Sequence, residues 1–188
     1  MERKAILKWL KVFSVTFFLL SMVELLDLIL ISTLIKLNLD GSQYSIITII
    51  FQSSFTSPHA VLLWIFLLCI ICGFIVLSYS IFKVAKKAEI ENLTLAKFLL
   101  LIGLFLIIGG FIKINFIVLL GNSSIDTGLT TVTLQDALYT PTITPNFGAI
   151  MWLYFTVVVS CFLVSGLIFG GIGLKWMLLI QEEKSSND

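Results

Sequence analysis

Four long, nearly uninterrupted apolar runs constrain this chain more than any other feature. They cover roughly 11–36, 59–83, 95–120 and 148–180. A helix rises about 1.5 Å per residue, so about 20 residues cross the ~30 Å of hydrocarbon in a bilayer. Each run is long enough to do so. Composition agrees, with 12% charged residues where a soluble domain usually carries about 25%, and a mean hydropathy of +1.09. The expected fold is an all-α, four-helix transmembrane bundle, residues 1–188 forming one integral membrane domain. The last run is the longest and is expected to tilt, or to leave the bilayer near Lys175. The start, MERKAILKWLK followed by VFSVTFFLLSMV, has the look of a signal peptide, but no small-x-small site follows it. It reads as a retained first helix.

The basic residues give the direction of the spans. Arg3, Lys4, Lys8 and Lys11 precede the first run, Lys83, Lys86, Lys87 and Lys97 flank the turn at 84–94, and Lys175 and Lys184 close the fourth run. Only Lys36 and Lys113 of the 12 Lys and Arg are left over. Both termini are therefore expected on the cytoplasmic side, with the polar segments 37–58 and 121–147 outside. The expected location is the cell membrane, multi-pass. A net charge of +1 suggests no polyanionic partner, and no nucleic acid binding is expected.

The two halves, 1–88 and 89–188, resemble each other as a parallel repeat. In the first external segment ITIIFQ (47–52) is followed by Pro58 and Trp64; in the second TTVTLQ (130–135) is followed by Pro145 and Trp152. The Thr/Val/Ile runs alternate as strands do and are expected to pair as a small external sheet. The tryptophans stand where interfacial aromatics belong.

Glu24 and Asp27 interrupt the first run, and Lys113 interrupts the third. Asp27 lies 16 residues after Lys11, and Lys113 lies 16 after Lys97, so the two are expected at similar depth, with Glu24 one turn deeper. A lone charge near the bilayer centre costs on the order of 2.5–3.5 kcal/mol. Pairing inside the protein removes most of that penalty. Ser14, Ser21, Glu24 and Asp27 share one helix face, and Lys113 shares a face with Gly109 and Gly110. A buried Glu24–Asp27–Lys113 cluster follows. Two acids and one base leave a net negative charge in a poor dielectric unless one acid keeps its proton. Such a cluster either handles protons or locks helix register.

The remaining motifs are weaker. Cys69 and Cys72 form CIIC, and Cys161 is the third cysteine. No cysteine lies in a polar segment to relay a disulfide, so ordinary apolar packing is expected. His59 is the only histidine, which excludes a bis-histidine haem within one chain; no metal site is expected. His59 and Trp64 are candidate ligand contacts, for a quinone head group for example. Gly166 and Gly170 form GxxxG, a signal for close helix packing within the chain or against a partner. Asn122-Ser-Ser is a glycosylation candidate on the outer side.

The third run, IGLFLIIGGFIKI, places Gly103, Gly110 and Lys113 at spacings of seven and three. It resembles the first helix of DoxX/DoxD-type membrane proteins, which often read basic-xxx-G-x6-G-x2-K. VSGLIFGGIGLKW in the fourth run is loosely similar to that family's second helix. The pattern sits in the third helix here, and Leu99 stands where the basic residue is expected. The resemblance implies four helices, a site at Lys113, and the role of the DoxD branch as membrane subunit of a thiosulfate:quinone oxidoreductase.

The expected function is an integral subunit of a larger membrane complex, linked to quinone and binding no cofactor by itself. Its partners would be the bilayer and either other membrane subunits or an extracytoplasmic protein. The small size, the lack of haem ligands and the glycine-rich face favour this. A small proton-coupled transporter using the carboxylates, and a structural tetraspan protein, are the alternatives.

Overall fold

A computed structural model describes residues 3–39, 41–52, 58–87, 90–126, 130–141, 143 and 146–185. Pro145 and the side chain of Lys184 lie outside the described residues. The elements run α1 (Arg3–Leu34), β1 (Lys36–Leu39), β2 (Ser42–Ser45), α2 (Ile46–Phe51), α3 (Pro58–Lys86), α4 (Asn92–Gly121), β3 (Ser124–Asp126), β4 (Thr131–Thr133), α5 (Leu134–Tyr139) and α6 (Asn146–Ser185). Four of these, α1, α3, α4 and α6, are long and apolar enough to cross a membrane. The helices outrun the apolar stretches. α1 begins at Arg3 and not near residue 11, and α6 spans 40 residues. The flanking Lys, Arg, Glu and Gln are good helix formers, so the backbone continues where hydropathy falls.

The chain divides into two compact units. The first comprises Met1–Leu20, Gly73–Ile112 and Val159–Asp188. Its core is aromatic: Phe17, Phe74 and Phe162 are fully buried and meet in pairs, with ring centroids 4.2–5.7 Å apart. Tilted and edge-to-face contacts of this kind add to the area they bury. Glycines set the packing of α4 on α6. A Cβ on Gly103 would run into the backbone of Gly170 and Gly166, and one on Gly166 would come within 2.8 Å of Ile107. Gly110 faces Leu163 of α6, while Gly109 faces the ring of Phe74 on α3. The GxxxG motif therefore packs within the chain, and the glycine-rich face is not left open for a partner.

The second unit comprises Ser21–Cys72 and Lys113–Val158. It holds two hairpins, β1–β2 and β3–β4, in separate antiparallel sheets. Gly41 supplies the positive φ, +74°, between β1 and β2. This corrects the expected sheet. Residues 47–52 are not a strand; they belong mostly to α2. Thr131–Thr133 is a strand but pairs with Ser124–Asp126, inside its own segment.

Each hairpin leads into a six-residue helix of the same design. The Ser45 side chain accepts from the Thr48 amide, and that of Thr133 accepts from the Asp136 amide. The C-cap amides of Gln52 and Thr140 return to the carbonyls of Ile49 and Ala137. The first, fourth and fifth residues are buried in both: Ile46, Ile49 and Ile50 in α2; Leu134, Ala137 and Leu138 in α5. Equivalent positions are therefore 88 apart, as are Trp64 and Trp152 and the first residues of α3 and α6. The expected match of 47–52 to 130–135 was out of register by five. The cap hydroxyl, and not the β-branched run, defines the correspondence.

Together α2, α5 and both tryptophans close over the interior of this unit. The remaining space, about 10 Å³, is lined by Leu28, Ser32, Trp64, Leu120, Trp152 and Phe155, among others. The Trp64 indole N–H donates to Ser32 Oγ at 3.0 Å, and Ser32 donates onward to the Leu28 carbonyl at 2.7 Å.

Candidate functional site

Along α1, Ser21, Glu24, the adjacent pair Asp27 and Leu28, and Ile31 follow one another at three or four positions and are all buried. This is one helical face. It carries polar groups at its start and aliphatic ones at its end, so only Ser21, Glu24 and Asp27 ask for polar partners. Lys113 comes to this face from α4 and is itself fully buried.

Lys113 Nζ pairs with Glu24 Oε1, and neither side chain is exposed. The ammonium also lies 4.3 Å from the centroid of the Phe155 ring on α6. A desolvated cation over an aromatic face gains on the order of 2 kcal/mol. Lys113 is thus held by residues from two other helices.

Asp27, 7% exposed, lies one turn beyond Glu24 and is within electrostatic reach of both Glu24 and Lys113. The ammonium meets Glu24 even though Asp27 matches its depth by residue count. A helical side chain leans toward the N-terminus of its helix, so the lysine head sits short of its own Cα. That lean takes it toward the acid one turn earlier.

Two acceptors are left over. Glu24 Oε2 and Asp27 Oδ2 are buried and accept no hydrogen bond among the described residues. An unsatisfied buried carboxylate oxygen is costly. With both acids ionised and one lysine, the site would also keep a net negative charge. A proton on one of the two carboxyl groups would ease both difficulties. It neutralises the excess charge and converts one acceptor into a donor. The arrangement is thus suited to holding a proton beside a fixed ion pair.

The other singled-out residues lie apart from this centre or serve packing. His59 is exposed, and Trp64 uses its indole N–H on Ser32. Asn122 is exposed just after α4, so the sequon asparagine is accessible; Asn115 is exposed as well. Cys69, Cys72 and Cys161 are free and exposed on the surfaces of α3 and α6. Among the described residues no group of three or more His, Cys, Asp or Glu could hold a metal ion. Phe155 was missed from the sequence. Its signal was faint, one of 16 phenylalanines, and only the fold reveals which of them covers the lysine.

No family model, curated protein or solved structure matches the chain.

Proposed function

We propose that this chain is a multi-pass protein of the cell membrane, a four-helix bundle with both termini inside and both hairpin segments outside. In this reading it is the integral subunit of a larger complex, and its outer-leaflet Glu24–Asp27–Lys113 centre holds and releases a proton. The observation that carries the reading is the pair of buried carboxylate oxygens, Glu24 Oε2 and Asp27 Oδ2, left without donors beside a satisfied ion pair.

Quinone-linked electron transfer is the reaction class that would use such a site. Reduction of a quinone to a quinol takes up a proton with each electron, and a buried carboxyl is a suitable donor. The similarity of Gly103, Gly110 and Lys113 to the DoxX/DoxD pattern points the same way. The chain has one histidine, so a bis-histidine haem would have to come from a partner. The paired hairpin and short-helix caps, exposed at Ser42 and Gln43, are the surface offered to an extracytoplasmic protein.

A proton-coupled transporter is less favoured, because carriers usually break their helices at the site and α1 and α4 run unbroken through Glu24 and Lys113. The second reading is a structural tetraspan protein in which the same pair locks helix register. Complete burial of Glu24 and Lys113 under Phe155 favours it.

Gentle purification from native membranes tests the complex. Co-elution with other membrane or extracytoplasmic chains is expected, and a chain that runs alone as a monomer overturns the subunit reading. Infrared difference spectroscopy tests the proton. A carboxylic-acid C=O band should be present and should vanish or shift in Asp27→Asn or Glu24→Gln. If neither variant alters the band, the centre holds no proton, and lost assembly in the same variants marks it as only a lock.

A further inference from the structure

The first unit carries an elongated surface groove that the functional reading does not use. Its apolar part, about 410 Å³, is walled by Trp9 and Phe13 of α1 and by Ile168 and Phe169 of α6, with the hydroxyls of Thr16 and Ser165 at its far end. Ile6 and Ile172 line this part and also a second hollow of about 210 Å³, which continues to Lys175 and Trp176. The two hollows form one groove, apolar along its length and cationic at one end.

We infer that this groove holds one anionic phospholipid, its headgroup at Lys175 and an acyl chain along Trp9, Phe13 and Phe169. Three observations select this occupant. Lys175 is exposed and makes no ion pair among the described residues, so its charge is free for a phosphate. Glu182 lines an adjoining hollow that shares Lys175 and Leu179 with the cationic end, and it forms no ion pair with Lys175 among the described residues. From Lys175 to Ser165 is ten residues of α6, about 15 Å of helix, or one leaflet of a ~30 Å hydrocarbon core. A lipid chain fits that depth. Trp176 lines the same hollow as Lys175, where an interfacial indole sits at headgroup level. Basic pockets between membrane helices on the cytoplasmic side recognise anionic headgroups in this way. The inference rests on the proposed placement of the helices in a bilayer and is independent of the carboxylate centre.

Native mass spectrometry of the full chain, purified in mild detergent and delipidated, tests it. Phosphatidylglycerol and phosphatidylcholine with identical acyl chains are offered together. Phosphatidylglycerol adducts should dominate, and Lys175→Gln should lower that preference about fivefold, the effect of one basic residue at an anionic headgroup. Lys175→Glu should lower it further. Lys87→Gln, at the residue that follows α3, should leave it unchanged. Equal binding of the two lipids, an unchanged preference in Lys175→Gln, or an equal loss in Lys87→Gln overturns the site. So does displacement of both lipids by a neutral isoprenoid quinone, which would make the groove a quinone site. A chain recovered in the soluble fraction would overturn the membrane placement together with the lipid site; a missing preference in membrane-recovered protein overturns the lipid site alone.

Discussion

Lys113 takes its hydrogen-bond partner from Glu24, and both side chains are wholly enclosed. The relationship makes Glu24 the structural acid of the pair. Asp27, slightly exposed and with a buried oxygen that lacks a donor, is left as the adjustable one. Stability and proton chemistry should therefore separate between two acids one turn apart.

Removing the charge of Glu24 strands a buried ammonium. Glu24→Gln should destabilise the fold by about 3–5 kcal/mol, the usual cost of breaking a buried pair from one side. Asp27→Asn keeps the shape of a protonated acid and should cost much less. Combining Glu24→Leu with Lys113→Met should recover most of the loss, because a buried ion pair replaced by apolar residues is often neutral. Thermal denaturation in detergent, arranged as a double-mutant cycle, reads all of this. A double variant as unstable as the sum of the singles would show that the two residues do not act as a pair.

The glycines of α4 and α6 divide sharply. Gly103 has no room for a Cβ, since the Gly170 backbone occupies that place, whereas a Cβ on Gly171 meets nothing within 4 Å. Gly103→Ala should cost about 1–3 kcal/mol through overpacking. Gly171→Ala should be neutral, or stabilising by about 0.5–1 kcal/mol, because alanine is the better helix former. The midpoint of unfolding in a denaturing detergent titration checks both. Equal effects at the two sites would contradict the close α4–α6 packing.

The short helices α2 and α5 depend on their caps. Ser45 Oγ accepts the Thr48 amide at 3.3 Å, and Thr133 Oγ1 accepts the Asp136 amide at 3.1 Å. Ser45→Ala and Thr133→Ala should each cost about 1 kcal/mol. Amide hydrogen exchange should accelerate at Thr48 in the first variant and at Asp136 in the second, with little effect on the other cap. Unchanged exchange at both would mean that burial of the first, fourth and fifth residues holds these helices without the cap.

Those caps also show where the sequence stops being legible. The four long helices announce themselves through hydropathy, and the charged residues of the site stand out because they interrupt it. α2 does not. Ile46-Ile47-Thr48-Ile49-Ile50 is rich in β-branched residues, which favour strands, and six residues are too few to display a helical period. Tertiary burial decides in favour of the helix, and only the serine before it hints at the outcome. Gly41, whose positive φ lies between β1 and β2, is the kind of residue a tight turn needs, and it marks the strands on either side more reliably than the Thr/Val/Ile runs do. At the site, residue counting matches Lys113 with Asp27, because counting locates Cα atoms. The choice of Glu24 is made by the lean of a long side chain, which the count leaves out.

Trp64 and Ser32 offer a measurement of how the second unit is tied together. The indole N–H donates to Ser32 Oγ, and the same hydroxyl donates to the Leu28 carbonyl. Ser32→Ala removes both bonds and leaves the indole donor without its partner, while Trp64→Phe removes only the first and keeps an aromatic ring opposite Phe51, whose centroid lies 5.9 Å away. Hydrogen bonds between membrane helices average about 0.6 kcal/mol in double-mutant cycles, with a maximum of about 1.7. The Ser32→Ala/Trp64→Phe cycle should give a coupling in that range. Indole fluorescence should also shift in Ser32→Ala, as the N–H loses its partner in an apolar setting. A coupling near zero together with an unshifted spectrum would mean that Trp64 closes this interior by bulk alone, with its N–H contributing nothing.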